Sequence, residues 1–258
     1  MVAPGRRAYL LRDPLPEDDP MPRPRLILIP GTLNDEGLWR DQLAPLSLVA
    51  DVSVADITKG ESLEALARQV LALHSGPFLV AGFSLGGLVA QEVFRRAPDR
   101  VLGLGLLDTT MLPDTPAGQA KRDAMIKAAS SGARFIGMGE RLLAGYLAPQ
   151  NLARGDIGAR IQEMTLRLGA EVFIRQSRLD RPDNRDLLKT VTCPTLILCG
   201  EEDRITPMAL HEEMARLIPH ARFLRVKDAG HMTPMEQPEG VTSALVALVA
   251  EVTRQDAV

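Results

Sequence analysis

Phe78-Leu79-Val80-Ala81-Gly82-Phe83-Ser84-Leu85-Gly86 decides how this chain is read. Six residues rich in large apolar and aromatic side chains form a run of strand length and composition, bounded by a serine between two glycines. Immediately afterwards Leu88, Val89, Glu92 and Val93 recur at helical spacing. The string G-x-S-x-G alone arises by chance in roughly one chain in ten of this length, so its position between strand and helix carries the weight. A strand that turns sharply into a helix forces the central residue into a strained backbone conformation and exposes its side chain at the sheet edge. Gly82 and Gly86 are the small neighbours that such crowding demands. Ser84 is therefore the candidate nucleophile, and the N–H of Leu85 at the helix start is a candidate donor to an oxyanion.

A serine hydroxyl reacts only when a base takes its proton, and the base needs a carboxylate to orient it. Both are present downstream on loops that follow predicted strands. Asp203 lies in the loop from Gly200 to Pro207, after the run at 195–199, and His231 follows Gly230, after the run at 222–226. The chain order Ser, Asp, His is one of the known orders of this constellation. Asp108, at another strand end, is the weaker rival for the carboxylate. His74 and His220 precede strands, which places them at the opposite sheet edge as structural residues. His211 lies in the helix after the Asp203 loop; a surface position is the expectation, with contact at the rim of the site as the alternative.

Working outward, similar apolar runs occur at 26–29, 49–56 and 101–108. Helical patterns separate them: Leu63, Leu66, Ala67, Val70 and Leu71 share one face behind a Ser62 cap, and Val241, Leu245, Leu248, Val249 and Val252 form a last stripe begun by Pro238. Strands alternating with helices predict an α/β fold with a doubly wound, mostly parallel sheet. The alternation stops between 111 and 189, where only helical patterns occur, broken by several glycines. The expected organisation is a core of residues 1–110 and 190–258 and an inserted helical cap of residues 111–189. The cap holds 13 Lys/Arg and 9 Asp/Glu, a net +4 that offers attraction to anions, although a solvated helix face is the plainer account. Trp39 is read as a packing anchor. Met111, Met125, Met138, Met164, Met232 and Met235 are shared between core filling and an adaptable apolar pocket, with Met232 and Met235 favoured for the pocket.

With 258 residues, 45% of them hydrophobic and 24% charged, the chain can bury a sizeable core. Its 30 Lys+Arg and 33 Asp+Glu give a net charge of −3, without the basic excess that favours nucleic acid or anionic membranes. No stretch of about 18 apolar residues is present to span a bilayer, and the first twelve residues lack the apolar centre of a signal peptide; a cytoplasmic protein is expected. Residues 1–24 hold seven prolines or glycines and read as an irregular lead-in with one edge strand at 8–11. Cys193 and Cys199 fall roughly 20 Å apart if 195–199 is extended, too far for a disulfide. Neither cysteine has the spacing of a zinc site.

The sequence from Leu26 onward resembles the α/β-hydrolase fold family, in particular its small, capped carboxylesterase and lactonase-like serine hydrolases. The resemblance rests on the strand before Pro30-Gly31-Thr32-Leu33, on Trp39, on Asp56 to Gly60 with Ser62, on the Ser84 turn, on the Gly200 to Pro207 loop, and on Gly230-His231 with Glu236-Gln237-Pro238-Glu239. The family usually carries His-Gly where this chain has Pro30-Gly31. The resemblance implies a second oxyanion donor in the N–H of Thr32, with Leu33 as the fallback and the Thr32 hydroxyl as a further donor. It also implies hydrolysis of a small-molecule ester or lactone through Ser84, Asp203 and His231, a pocket including Leu33 and Met232, and no metal or other cofactor. Relatives that remove halogen or open epoxides place aspartate where Ser84 stands. Thioester and carbon–carbon bond cleavage, acyl transfer and perhydrolysis use similar residues and stay open, as does a ligand receptor that keeps the three side chains. Oligomeric state is left open.

Overall fold

Six parallel strands form one sheet in the order β2-β1-β3-β4-β5-β6, in a computed structural model that describes residues 23–132 and 134–255. The strands are β1 Arg25–Ile29, β2 Asp51–Val54, β3 Phe78–Phe83, β4 Val101–Leu107, β5 Thr195–Gly200 and β6 Arg222–Val226. The strand proposed at residues 8–11 lies outside the described residues.

The apolar runs are continuous because the middle strands are covered on both faces. Leu26 and Leu28 of β1 join Leu79, Ala81, Phe83, Leu196 and Leu198 in one buried cluster. Ile27 and Ile29 point the other way and join Phe78, Val80, Leu104, Leu106 and Ile197 in a second. The two edge strands differ from that expectation. β2 and β6 are only partly covered, and they place Asp51, Ser53, Arg222 and Arg225 where a sheet edge meets water.

Helices α1 Arg40–Leu46, α2 Leu63–Ala72 and α3 Leu85–Arg96 link the first four strands. Ser62 caps α2 as predicted, its Oγ accepting the Ala65 N–H at 3.0 Å. Between β4 and β5 come α4 Pro116–Ala129, α5 Glu140–Tyr146, α6 Gly155–Ser177 and α7 Arg185–Leu188, with no strand among the described residues. α6 is kinked at Gly169, whose φ of 77° and ψ of −179° only glycine adopts readily. The insertion leaves and rejoins the sheet layer at one point, where the Asn184 N–H donates to Met111 O at 2.8 Å. The Asn184 side chain donates to Gln91 Oε1 on α3 at 2.9 Å, and Gln91 Nε2 donates to Thr110 O at 2.8 Å. α8 Met208–Leu217, α9 Thr233–Glu236 and α10 Pro238–Gln255 complete the chain. The predicted stripe of α10 is buried from Val241 to Val252.

This topology places the site. The chain moves outward from β1 to β2 and returns to β3 on the other side of β1, so the loops leaving β1 and β3 diverge and open a crevice at the carboxyl ends of these neighbouring strands. Residues 30–33 leave β1 there, and Ser84 ends β3.

Candidate active site

Ser84 connects β3 directly to α3 with φ 52° and ψ −115°, the strained turn expected from its flanking glycines. A Cβ on Gly82 would stand 2.1 Å from Gly86 O, and one on Gly86 would stand 2.3 Å from Ile29 O, so neither position has room for a side chain. Three hydrogen bonds hold the strained residue. Its N–H donates to Leu107 O at 2.9 Å, and its carbonyl accepts from Gly87 N at 2.9 Å and Thr109 Oγ1 at 2.7 Å.

The Ser84 hydroxyl lies 3.0 Å from His231 Nε2, and His231 Nδ1 lies 2.8 Å from Asp203 Oδ2. Asp203 is the residue of a tight loop: Oδ1 accepts the N–H groups of Ile205 and Thr206 at 2.8 and 2.9 Å, and Oδ2 also accepts Thr206 Oγ1 at 2.7 Å. Burial pushes its carboxyl up, but His231 and the Thr206 donors outweigh that and hold it below the ordinary aspartate value. The His231 ring is buried, with Phe83 at 5.2 Å between centroids and the edge of Tyr146 at 5.4 Å. A hydroxyl, an imidazole and an ionised carboxylate thus stand in a hydrogen-bonded line that can accept a proton from the hydroxyl.

The Leu85 N–H is the first of α3 and has no carbonyl within the helix to meet it. Thr32 is half-buried after β1, and among the described residues no hydrogen bond engages its N–H or that of Leu85. Leu33 corrects the fallback assignment. Its N–H, at φ 54°, already donates to Gln176 Oε1 at 2.8 Å, and Gln176 Nε2 donates to Ile57 O at 3.2 Å. The side chains of Leu33 and Met232 are both buried, and Met232 belongs to the same buried cluster as Phe83, Leu147, Met164 and Met235. Met111 is buried in the cluster on the other sheet face, which makes it core filling; Trp39 is a fully buried packing residue, as expected.

Asp108 does not bond His231. It accepts from Gly200 N at 3.0 Å and from Thr233 Oγ1, and burial, followed by the charge of Asp203, holds its carboxyl well above the ordinary value. His211 corrects a second expectation. It is fully buried, not on the surface, because α8 packs it against Thr109. His74 meets Ser53 and His220 meets Cys193 O, both remote from Ser84 as anticipated.

Asp108, Cys199 and Asp203 bring possible metal ligands within 4.8 Å of one another. They do not suit a cation. Both carboxylates already accept hydrogen bonds, and burial together with the two neighbouring carboxyls drives the Cys199 thiol strongly toward its protonated form.

A model of the Alpha/beta hydrolase family matches residues 26–244. The chain belongs to this family. Over 250 residues the chain is 26% identical to polyketide synthase ThaQ of Burkholderia thailandensis, a match that covers 90% of this chain and 12% of that one. Over 238 residues it is 28% identical to a pimeloyl-[acyl-carrier protein] methyl ester esterase of Xanthomonas oryzae pv. oryzae, covering 88% of this chain and 84% of the relative. A thermophilic esterase from Thermogutta terrifontis, solved with malate bound, superposes with a TM-score of 0.79 at 30% identity, covering 90% of this chain and 91% of the other. No helix among the described residues is long and apolar enough to cross a membrane.

Four residues of the site region carry contacts that the sequence reading did not assign: Thr109, Gln176, His211 and Glu236. Glu236, as part of the motif after His231, and His211, by its place after the Asp203 loop, had a sequence signal; Thr109 and Gln176 had none.

Proposed function

We propose that this hydrolase cleaves a carboxylic ester or lactone through a Ser84-His231-Asp203 triad and an acyl-enzyme intermediate. The observation that carries the proposal is the 3.0 Å contact between His231 Nε2 and a serine hydroxyl presented on a strained turn. His231 takes the Ser84 proton as Oγ attacks the carbonyl carbon, and the electron pair of the C=O moves to oxygen. The N–H groups of Thr32 and Leu85 stabilise that oxyanion, each contributing on the order of 10²-fold or more to rate. Collapse of the tetrahedral intermediate expels the alkoxide, which leaves as the alcohol with the proton from His231. Water, deprotonated by the same imidazole, then attacks the acyl-enzyme, and the acid departs as Ser84 regains its proton. Asp203 stays ionised throughout, orients the ring through Nδ1 and stabilises its cationic form.

Residues 111–189 act in this reading as a cap over the core built from the described residues before and after them, with Met232 and Leu33 beside the acyl group. The apolar cluster of Phe83, Leu147, Ile161, Met164 and Met232 supports a small to medium substrate that is uncharged or carries an acyl chain. The esterase names among the relatives support ester chemistry over carbon–carbon cleavage. A panel of p-nitrophenyl esters, lactones and thioesters tests the proposal, with Ser84→Ala as control. Steady ester or lactone turnover, lost by at least about 10³-fold in the variant, is expected. Tight ligand binding with about one turnover, or turnover that survives Ser84→Ala, would overturn it.

A further inference from the structure

The imidazole of His231 is useful only if it stays within hydrogen-bonding reach of Ser84, yet its residue sits in the irregular loop between β6 and α9. The main chain there is fastened at three consecutive amides. The Gly230 and Met232 N–H groups both donate to Glu236 Oε1, at 2.9 and 3.0 Å, and the His231 N–H donates to Tyr146 O at 2.6 Å. The second oxygen of Glu236 faces the inserted segment: Oε2 accepts the Ala148 N–H and Asn151 Nδ2, each at 2.8 Å.

Four donors therefore fill the accepting positions of one buried carboxylate, which is 1% exposed. Arg154, a nearby cation, bonds the Glu236 main-chain carbonyl at 3.2 Å. The side chain thus faces N–H donors on both oxygens and serves only as an acceptor. The fit is also close in space. A Cβ on Gly230 would lie 2.5 Å from Tyr146 O, so the loop and residues 146–148 touch backbone to backbone.

We infer that Glu236 is a positioning residue for His231: one oxygen fixes the two amides that flank the histidine, and the other ties that loop to the segment after α5. This inference rests on the proposed role of Ser84 and His231. An amide at this position would direct its NH2 at two N–H donors whichever way it turned, so the pair of bonds on one side would be lost. The loop would then hold His231 less tightly, and the step that slows is proton removal from Ser84, with substrate binding little changed.

The experiment compares wild type, Glu236→Gln, Glu236→Asp and Glu239→Gln, the last an exposed carboxylate on α10, by steady-state hydrolysis of p-nitrophenyl butyrate and by the rate of fluorophosphonate labelling at Ser84. Glu236→Gln is expected to lower kcat by about 30-fold or more with KM within about threefold, and to slow labelling in parallel while circular dichroism stays native. Glu239→Gln is expected to match wild type. If Glu236→Gln gives no folded protein, Glu236→Asp carries the test: its charge is kept but its oxygens are drawn back by one carbon, and kcat is expected to fall about tenfold at similar KM. A folded Glu236 variant with kcat within about threefold of wild type, or one in which KM alone changes, would overturn the inference. A wild type that neither turns over nor labels at Ser84 would overturn the site reading and this inference with it. Wild-type turnover and labelling, matched by Glu236→Gln, would overturn the role of Glu236 alone.

Discussion

His211 Nε2 accepts the main-chain N–H of Thr109 at 3.0 Å, which leaves its proton on Nδ1, facing Pro207 O at 3.4 Å. Thr109 in turn donates its hydroxyl to Ser84 O. A neutral imidazole therefore stands between the loop that carries Asp203 and the turn that carries Ser84. Burial lowers its pKa to about 4.

That shift has a definite sign. The unfolded chain binds a proton at this histidine near pH 6.5 and the folded chain only near pH 4, so stability is full above about 6.5 and falls as pH drops through 4. The loss is expected to reach about 3 kcal/mol. Urea unfolding at pH 7.5, 5.5 and 4.5 should show this slope in wild type and a clearly smaller one in His211→Gln.

Asp108 and Asp203 should respond oppositely to the same change. Asp203→Asn removes the acceptor for His231 Nδ1 and should lower kcat by about 10⁴-fold. Asp108 does not bond His231, and Asp108→Asn keeps an oxygen for the Gly200 N–H, so hydrolysis should stay within about threefold of wild type. The folded pKa of Asp108 is raised, so its contribution to stability is present at acid pH and is lost as pH rises toward the raised value. The asparagine variant should accordingly gain stability relative to wild type as pH rises above the ordinary aspartate value, measured by denaturant midpoints.

Gln176→Leu would strand the Leu33 N–H and the Ile57 carbonyl. Leaving both buried groups unpaired should cost about 3 kcal/mol. Thr32 neighbours the loosened residue, so kcat should fall as well, by about tenfold, because oxyanion donors act only when held in place. Denaturant titration and ester kinetics on one preparation check both parts.

Gly82→Ala is expected to destabilise by at least about 3 kcal/mol, beyond ordinary overpacking, since its new carbon meets backbone of Gly86 instead of a movable side chain. Soluble yield and Tm are the measurements.

Ser84, Asp203 and His231 were legible because each lies in a short local pattern: a strand, then a loop of characteristic residues. The middle strands were legible because burial on both faces leaves a continuous apolar run. The run at 49–56 overshot β2 Asp51–Val54, while 222–226 matched β6; neither apolar run disclosed that its strand lies at an edge. His211 was misjudged because what buries it is Thr109, 102 residues away. The contact of Gln176 with Leu33 spans 143 positions and that of Glu236 with Ala148 spans 88. Such contacts depend on how the insertion folds back over the sheet, which local periodicity does not encode.

The single hydrogen bond between Asn184 and Met111 makes the two ends of the insertion neighbours. Between the tethers at Tyr146 to Asn151 and Gln176, which hold the His231 loop and Leu33, the insertion can change length or be swapped at an entropic cost that rises only about 0.6 kcal/mol per doubling. The strands beneath would keep their register through such a swap. A graft made at this narrow neck that spares those tethers is thereby separated from maintenance of the scaffold.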